Sequence, residues 1–525
     1  MCQTIYYNGN ILTMEKQERA QALLEADGII RAVGTLETVR ARADSDARLI
    51  DLDGRTLMPA FLDAHGHLTA LAATRSLASL SGINSREGIV QRLQEFAQRE
   101  QISPGAWVIG FGYDHNLMTD GLHPDRHLLD TALPDNPVLI THASGHMGVA
   151  STAALHFLNL TSNTADCAGG HIGREEDGTP SGYLEERAFF DASARMPAPA
   201  TDRQEENLLW AQKELLRHGI ATAQEGLVCP GEWSLLESMS RQEKLLIDVI
   251  GYVDLAQHAT IYREHPEYHQ TCNHLRLGGY KLFLDGSPQG KTAWLTCPYE
   301  GSDERGYPIH SDEALQALVE TACSEGVQLL VHCNGDAAAE QLLVAMERAA
   351  RRFDVVRLRP VMIHAQTVRA DQLERMGSLG MIPSFFVSHT WYWGDTHRKN
   401  LGTRANSISP VHTALGLGLP ATLHLDTPVL PPDPIDAVWC AVNRLSRGGV
   451  SMGEAERVTV QEALRCVTLH AAWQCFEEEK KGSIRAGKHA DFVLLDADPT
   501  AMRVEDLRAL TVTETVVRGE TLYRA

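Results

Sequence analysis

The chain has 525 residues, of which 43% are hydrophobic and 22% are charged, and its formal net charge is −21. This composition is typical of a globular protein, and the length allows a large core together with a second, smaller domain. No stretch stays apolar for the ~20 residues that a membrane helix needs, the first residues lack the regions of a signal peptide, and an acidic surface repels the phosphates of nucleic acids.

The ten cysteines are scattered along the chain without a CxxC pair. In a large chain without export signals, this pattern indicates reduced thiols rather than a disulfide framework. We therefore expect a cytoplasmic protein that acts on a small molecule and binds neither nucleic acid nor a membrane. We also expect a homodimer.

Both ends of the chain have the pattern of short strands and tight turns. TIYYNGNILTM is typical of two strands around a turn at Asn8-Gly9, and LLEADGIIRAVG repeats this pattern at Asp27-Gly28. Near the other end, KGSIRAGKHADFVLLDAD and LTVTETVVRGETLYRA are also rich in strand residues and glycine turns. The matched patterns predict that residues 1–58 and 482–525 form one small β-sandwich.

Between the ends, helical patterns alternate with short apolar runs. The helical patterns include residues 203–218, 311–325, 336–352 and 370–379. The apolar runs are LRLGGYKLFLDG, VQLLVHC, LRPVMIHA, MIPSFF and LPATLHLD. Strands that alternate with helices imply parallel βαβ units, and so many in one domain predict an α/β fold, a (β/α)8 TIM barrel over residues 59–481. Residues 69–200 fit the repeat poorly, and we interpret them as an insertion near the barrel mouth.

Two histidines follow the apolar run in MPAFLDAHGHLTA. If the run continues as a strand, the side chains of His65 and His67 point to the same side, because strand side chains alternate. Two neutral imidazoles at one strand end can hold one metal ion. The alternative is a pair of solvated loop histidines, and this motif alone does not decide between the two.

Chemically capable residues recur in or at the ends of the apolar runs, with MIPSFF as the exception. They are His65, His67, Lys281, His332, His364 and Asp426. In a barrel, the carboxyl ends of the strands converge at one face, where barrel enzymes have their active sites. Taken singly, each residue has a structural alternative: a hydrogen-bonded core histidine, a turn aspartate before Thr-Pro, or a strand lysine with a solvated head. Their repeated position favours a common site.

Imidazole nitrogen and carboxylate oxygen are ligands of borderline cations such as Zn²⁺. Such an ion lowers the pKa of a bound water molecule to about 7. A nearby carboxylate can take the proton of that water and pass it to a leaving group. The sequence therefore predicts a hydrolytic metal centre that holds Zn²⁺ or another divalent metal.

These motifs resemble the amidohydrolase superfamily of metal-dependent hydrolases along nearly the whole chain. The resemblance is carried by MPAFLDAHGHL, the histidines of the apolar runs, HLDTPV and GSIRAGKHADFVLLDADP. Other motifs are similar to the branch that includes YtcJ-like proteins and N-substituted formamide deformylase: GFGYDHNL, GGHIGREEDGTPSGYLEE, KLFLDGSPQGKTA, VHCNGDAA, SFFVSHTWYWGDTH and TLHLDTPVLPPDP. That branch often has Asp-Gly-His in place of Ser144-Gly145-His146, and His-Ser-Asp in place of His424-Leu425-Asp426.

The resemblance implies how the six residues would share two metal ions. His65, His67 and Asp426 are expected to bind the first ion. The histidines of the fifth and sixth strands, His332 and His364, are expected to bind the second.

A lysine carboxylated by CO₂ can bridge two such ions, and Lys281 is the position that matches. The alternative is an unmodified Lys281 that pairs with an acidic group beside a one-metal site. We expect Lys281 and Asp426 to be the catalytic residues, with Asp426 as the proton shuttle.

The resemblance and the loop positions also predict substrate contacts. They are Tyr113, His115, His146 and Glu186 in the insertion, and His389, Trp391, Trp393 and His397 after the seventh apolar run. The alternatives are solvated loop residues and a surface glutamate in the insertion, and an aromatic cluster that packs the later loop on the barrel. Loops after barrel strands face the site, so we favour a substrate pocket for the later group.

The leading hypothesis is a hydrolase of a C–N bond in a small amide, formamide or related molecule. One alternative is a ring deaminase on the same fold. Such enzymes usually carry His-x-x-Glu on the fifth strand, where this chain reads HCNG and has Gly335 at the glutamate position. A second alternative is a non-catalytic binding or regulatory protein on an inherited barrel. Loss of a metal ligand would indicate such a protein, but all the candidate ligands are present.

Overall fold

The computed structural model describes residues 3–115, 117–142, 147–167, 170–196 and 201–525, apart from the side chain of Thr201. The predicted substrate contact His146 lies outside these residues. The chain divides into two compact units, Met1–Ala70 with Leu209–Ala525, and Leu71–Leu208.

The first unit contains an eight-stranded sheet in which all hydrogen-bonded neighbours are parallel. In chain order its strands, first to eighth, are Phe61–Leu62, Ile220–Val228, Asp248–Asp254, Leu275–Phe283, Gln328–Cys333, Val361–His364, Ile382–Phe385 and Thr422–Leu423. The spatial order follows the chain order, so each strand pairs with the next one along the chain. Parallel neighbours require a crossover between each pair of strands, as the predicted βαβ units do.

Helices form these crossovers from the second strand onward. Between the second and seventh strands they are Pro230–Arg241, Leu255–His258, Thr260–Glu264, Asp312–Glu325, Asp336–Ala349 and Ala370–Ser378. After the seventh strand they are His389–Tyr392, Gly394–Leu401 and Val411–Gly416, and after the eighth Pro434–Asn443, Val460–Cys466 and Leu469–Gln474. Short 3-10 helices lie at Pro266–His269, Val355–Leu358, Gly402–Ser407, Glu454–Glu456 and Val504–Ala509.

The helix Asp312–Glu325 shows how the sequence specifies such a crossover. The side chain of Ser311 accepts a hydrogen bond from the third residue of the helix, which satisfies a free N–H of the first turn. Leu315 and Val319, one turn apart, are buried on the same face. Gly326 ends the helix in the left-handed conformation, with φ of 70°.

Backbone hydrogen bonds join the two ends of the parallel sheet. The N–H of Asp426 donates to the carbonyl of His65 at 3.2 Å, and the N–H of His67 donates to the carbonyl of Thr427 at 2.7 Å. The segments that follow the first and eighth strands are therefore neighbours, and the sheet is curled. Eight curled parallel strands with helical crossovers are consistent with the predicted TIM barrel.

Strands from both ends of the chain pair in a second sheet of the same unit. They are Gln3–Leu12, Arg19–Ala26, Ile29–Gly34, Arg48–Asp51, Thr56–Pro59, Phe492–Leu495, Val512–Val517 and Glu520–Arg524, with the helix Leu36–Arg40 between the third and fourth. The two groups join where Phe492–Leu495 runs antiparallel to Thr56–Pro59. The chain ends thus share one sheet, while its division into the two layers of a sandwich stays a prediction.

The Asn8-Gly9 pair lies within the strand Gln3–Leu12 and does not form the predicted turn. The pairing register with the next strand shifts at this point, and Asn8 has φ of 59°. A Cβ on Gly9 would lie 2.4 Å from the carbonyl oxygen of Arg55. The glycine therefore lets a neighbouring backbone approach closely and does not reverse the chain. The predicted Asp27-Gly28 turn is present between the second and third strands of this sheet.

The unit Leu71–Leu208 has its own six-stranded mixed sheet, whose fold the sequence did not predict. In chain order its strands are Ala78–Ser79, Val108–Tyr113, Val138–His142, Met147–Ala150, Gly170–Arg174 and Pro180–Glu186. The first three are parallel neighbours, and the other pairs are antiparallel. Its helices are Arg86–Arg99, Arg126–Ala132, Thr152–Phe157 and Arg187–Ser193, and the unit boundaries fall within Leu68–Thr74 and Thr201–Arg217.

The core of this second unit forms where the helix Arg86–Arg99 packs against its sheet. The helix buries Ile89, Leu93 and Phe96 at a spacing of one turn, and these residues contact a cluster that includes Val108 of the sheet. In the described parts of the chain, no helix combines the length and apolarity that a membrane span requires.

Candidate metal centre

The six predicted metal-site residues are brought together by the parallel sheet. Lys281 lies within the fourth strand, His332 within the fifth, and His364 ends the sixth. His65 and His67 follow the first strand, and Asp426 follows the eighth. The carboxyl ends of parallel strands meet at one edge, which is why positions far apart in the sequence form one cluster.

The first group of candidate ligands consists of His65, His67 and Asp426. The Oδ1 atom of Asp426 lies 3.3 Å from Nε2 of His67 and 3.6 Å from Nε2 of His65. This buried oxygen has no hydrogen-bond partner among the described residues. Tetrahedral Zn²⁺ with bonds of about 2.0–2.1 Å places its ligand atoms about 3.3 Å apart. The two nitrogens and one oxygen therefore fit a divalent cation in spacing and in chemistry.

The second group consists of His332, His364 and Lys281. Nδ1 of His332 lies 3.0 Å from Nε2 of His364. The other carboxylate oxygen of Asp426 is 4.0 Å from that same nitrogen of His364, so Asp426 contacts both groups. Nζ of Lys281 lies 3.1 Å from Nε2 of His65. The two groups thus form one continuous cluster.

Burial controls the protonation of this cluster. It lowers the pKa of His332 to about 4 and of His424 to about 3, which favours the neutral imidazoles that ligate metals. Burial also lowers the pKa of Lys281 to about 7, against the attraction of Asp426. Burial opposes ionisation of Asp426, but the adjacent His67 and the other nearby imidazoles hold its pKa well below the usual value. The carboxylate is therefore anionic at neutral pH.

His67 is the exception among the imidazoles. Burial acts to lower its pKa, but the neighbouring carboxylates of Asp426 and Glu225 outweigh burial and raise the pKa to about 9. A cation that takes the Nε2 lone pair of His67 must displace this proton.

Glu225 of the second strand is a part of the site that the sequence analysis missed. Its Oε1 lies 3.6 Å from Nδ1 of His67, and its Oε2 accepts the backbone N–H of Thr69 at 2.7 Å. A carboxylate behind a ligating histidine fixes the ring orientation and the tautomer. The next residue, Gly226, packs directly against His65, since a Cβ there would lie 2.4 Å from Cε1 of His65. A charged residue within the apolar run ATAQEGLV was the available signal.

His424 was also missed as a site residue. Its Nε2 lies 3.1 Å from Nδ1 of His364, and its Nδ1 lies 2.8 Å from Oγ of Ser384. The chain Ser384–His424–His364 therefore orients the sixth-strand histidine. His424 lies two residues before Asp426 in TLHLD, the same spacing as in the HxH pair. This spacing places both side chains on one side of a strand and could have indicated His424.

Asp285 holds the loop that follows the fifth-strand histidine, His332. This buried carboxylate accepts the backbone N–H groups of Trp294, Asn334 and Gly335 at 3.0, 2.9 and 2.7 Å. Burial raises its pKa to about 7, although the three N–H groups act in the opposite direction. Asp285 therefore fixes the loop that follows His332.

Among the predicted substrate contacts after the seventh strand, His389 and Trp391 lie on the short helix His389–Tyr392 and His397 lies on Gly394–Leu401, while Trp393 joins the two helices. Nδ1 of His389 lies 3.0 Å from Nε2 of His397, and both rings are buried. The ring of Trp393 is 4.6 Å from that of His389. Phe386 connects this group to the centre, with its ring 4.7 Å from His389 and 6.1 Å from His364.

Trp391 has a different environment from its neighbours. Its ring packs edge-on against Trp439 at 5.1 Å, and the guanidinium of Arg508 lies 4.4 Å from its centre. Among the other predicted contacts, Tyr113, His115 and Glu186 belong to the unit Leu71–Leu208. Their role in substrate binding stays a prediction, as does that of Trp391.

The chain belongs to the amidohydrolase family, whose family model matches residues 48–523. It is accordingly a hydrolase that acts on carbon–nitrogen bonds. The curated relatives include the putative amidohydrolase YtcJ of Bacillus subtilis (strain 168), which is 29% identical over 99% of this chain and 99% of that protein. They also include the N-substituted formamide deformylase of Arthrobacter pascens, 29% identical over 98% of this chain and 97% of that protein.

Among solved structures, the chain is similar to an uncharacterized metal-dependent hydrolase from Pyrococcus furiosus. The TM-score is 0.79 at 26% identity, and the match covers 95% of this chain and 100% of that one. The family resemblance drawn from the motifs is confirmed by these comparisons.

Proposed function

We propose that this protein hydrolyses the C–N bond of a small amide, such as an N-substituted formamide, at a divalent metal centre held by the six strand-end residues. The observation that carries the proposal is the convergence of His65, His67 and Asp426, whose ligand atoms lie within 4.8 Å of one another. The deformylase of Arthrobacter pascens, a relative over nearly the whole chain, supports the choice of substrate class.

His65, His67 and Asp426 would hold one divalent ion, with Zn²⁺ as the expected metal, and His332 and His364 would hold a second. A bound ion would make a water molecule more acidic and would polarise the amide carbonyl. Burial lowers the pKa of His65, His332 and His364, so these imidazoles would present lone pairs to the cations without charge repulsion, whereas His67 would give up its proton on binding.

Asp426 moves the proton in this proposal. Its carboxylate is anionic and has two oxygens, of which one can bind a cation while the other accepts a proton from the attacking water. The same oxygen can then deliver the proton to the departing nitrogen as the C–N bond breaks. The products are a carboxylic acid and an amine. A positioned acid–base group of this kind contributes about 10²–10⁴-fold to the rate.

Lys281 would bridge the two ions as a carbamate. Its side chain is buried, and it forms no salt bridge to a carboxylate of the described residues. Nζ of Lys281 lies 3.1 Å from Nε2 of His65, a candidate ligand atom, so a cationic lysine there would repel a metal ion. Addition of CO₂ to the neutral amine, with loss of one proton, would instead give a carbamate whose two oxygens share one negative charge.

The surroundings of Gly335 argue against the ring deaminase alternative. A Cβ on this glycine would lie 1.8 Å from the carbonyl oxygen of Trp294. The position where a deaminase on this fold usually carries glutamate therefore has no space for a side chain.

The residues around Phe386 would form the substrate pocket. Phe386 and Trp393 supply apolar ring surface, and the buried pair His389 and His397 supplies polar contacts. Because this group extends from the ring of His364, it would contact the part of the substrate next to the scissile bond.

The test is a hydrolysis screen with the metal-stripped protein. N-substituted formamides, simple amides and carbamates are incubated with the apoprotein before and after addition of Zn²⁺, and the released amine is measured. We expect turnover of at least one class that depends on the added metal. Absence of metal-dependent turnover across the panel, with metal binding verified, would refute the proposal.

A further inference from the structure

A second group of potential metal ligands lies within the unit Leu71–Leu208. It consists of Asp114, His115 and His142, whose ligand atoms all lie within 4.8 Å of one another. This group does not use any residue of the centre described above. We propose that these three side chains form a separate binding site for a divalent cation of the Zn²⁺ type.

The strands of this unit explain why the three residues meet. Val108–Tyr113 and Val138–His142 are parallel neighbours, and their register places Tyr113 opposite His142. Asp114 and His115 directly follow Val108–Tyr113, and His142 ends Val138–His142. Side chains at the carboxyl ends of adjacent parallel strands are well placed for ligand binding.

The distances match a metal site. Nδ1 of His115 lies 3.2 Å from Nε2 of His142, and this nitrogen is 3.4 Å from Oδ1 of Asp114. Ligand atoms around a tetrahedral Zn²⁺ are about 3.3 Å apart. A neutral His142 has one N–H, so its Nε2 can donate a hydrogen bond to only one of the two neighbouring atoms. A cation between the three atoms would instead accept a lone pair from each of them.

Neighbouring side chains hold the group in place. The ring of His123 stacks on that of His115, with centroids 4.0 Å apart, and Nδ1 of His123 lies 3.1 Å from the hydroxyl of Tyr113. The side chain of His142 is 8% exposed and that of Asp114 is 29% exposed. The group is thus pre-oriented and partly covered, and Asp114 is more exposed than His142.

The donor set defines the class of ligand. Two imidazole nitrogens and one carboxylate oxygen suit Zn²⁺ and similar first-row cations, and exclude cations that require only oxygen ligands. Three protein ligands leave a fourth position for water or for a ligand group. His115, which the sequence analysis assigned to substrate contact, would instead bind the ion.

The experiment measures metal content in the full-length protein. The protein is stripped with a chelator, loaded with Zn²⁺, freed of loosely bound metal and analysed for zinc per chain. The same samples are loaded with Co²⁺, whose visible absorption reports tetrahedral sites. The variants are His142→Gln, Asp114→Asn and, as a matched control, His171→Gln. His171 and Asp166 form an exposed pair 2.8 Å apart in the same unit.

We expect His142→Gln and Asp114→Asn each to hold one Zn²⁺ fewer per chain than the wild type, with weaker Co²⁺ absorption, and His171→Gln to match the wild type. Equal zinc content in all four proteins would overturn the proposal. Circular dichroism verifies the fold of each variant. If the variants do not fold, anomalous scattering from Zn²⁺-soaked wild-type crystals decides: a peak among the three ligand atoms supports the site, and its absence overturns it.

Discussion

The Oδ1 atom of Asp426, beyond the eighth strand, lies 3.3 Å from Nε2 of His67, beyond the first strand. Two backbone hydrogen bonds between the same segments fix this distance. The carboxylate that would carry the proton is therefore held against a candidate metal ligand by the closure of the sheet, and not by a flexible loop.

The first prediction concerns this carboxylate. Asp426→Asn keeps the shape and one ligand oxygen but removes the base, so we expect at least about 10²-fold lower turnover at neutral pH. The variant should fold and retain at least part of its metal. Turnover is measured on metal-loaded protein with the zinc content determined in parallel. Near-normal turnover at full metal content would exclude the shuttle role.

The second prediction concerns the carboxylate behind His67. Glu225→Gln removes the charge that orients Nδ1 of His67, so we expect metal affinity to fall by roughly 10–100-fold. Competition with a chromophoric chelator measures the affinity. Glu232→Gln is the matched control, because it removes a carboxylate from the adjacent helix Pro230–Arg241 without a contact to His67. Equal affinities in the two variants would contradict the positioning role.

The third prediction tests the packing of His65. In Gly226→Ala the new methyl group would lie 2.4 Å from Cε1 of His65 and 3.0 Å from the carbonyl of Gly66. The ring must move, so we expect metal affinity to fall by at least about tenfold, as for other disturbed ligand orientations. Gly231→Ala is the control, because no atom lies within 4 Å of a Cβ there. Calorimetric metal titration compares the two, and unchanged affinity in Gly226→Ala would show that His65 does not need this packing.

The fourth prediction concerns the chemical state of Lys281. A carbamate should appear as additional mass of one CO₂ in gently ionised native protein, and carbon-13 bicarbonate should introduce a carbamate carbon signal. Lys281→Arg cannot form it, so we expect loss of one bound ion and at least about 10²-fold lower turnover from lost charge stabilisation. An unmodified lysine with full activity would favour the one-metal centre.

The fifth prediction concerns stability. Asp248 begins the third strand, is buried, and pairs with Lys481, with His274 at 2.6 Å and with Arg518 at 2.9 Å. Burial opposes its ionisation, but these partners hold its pKa far below the usual value. Removal of one charge from a buried pair costs about 3–5 kcal/mol. We therefore expect Asp248→Asn to lower the free energy of unfolding by that amount at pH 7, as measured by urea denaturation.

The pH dependence of this difference follows from the sign of the shift. A carboxylate with a depressed pKa in the folded state stabilises the fold fully above its unfolded pKa of about 3.9. That stabilisation is lost as the pH falls from there toward the low folded pKa. The gap between wild type and Asp248→Asn should therefore be constant from pH 5 to 7 and shrink at lower pH. A gap that does not change with acid would exclude the ionic role.

The sequence by itself determined the family, the parallel strand pattern and the six residues of the candidate centre. Strand periodicity and the position of His332, His364 and Asp426 at strand ends are local properties, so they can be read from the order of residues. The HxH motif is local for the same reason.

Only the tertiary structure decided which further residues complete the site. Glu225, His424 and Asp285 act through contacts across different strands, and no spacing in the chain encodes those contacts. The Asn8-Gly9 pair looked like a turn, but pairing of its strand on both sides overrode the local preference. The cluster of Asp114, His115 and His142 likewise exists only because two strands of the second unit lie side by side, so that their carboxyl ends meet at one edge of the sheet.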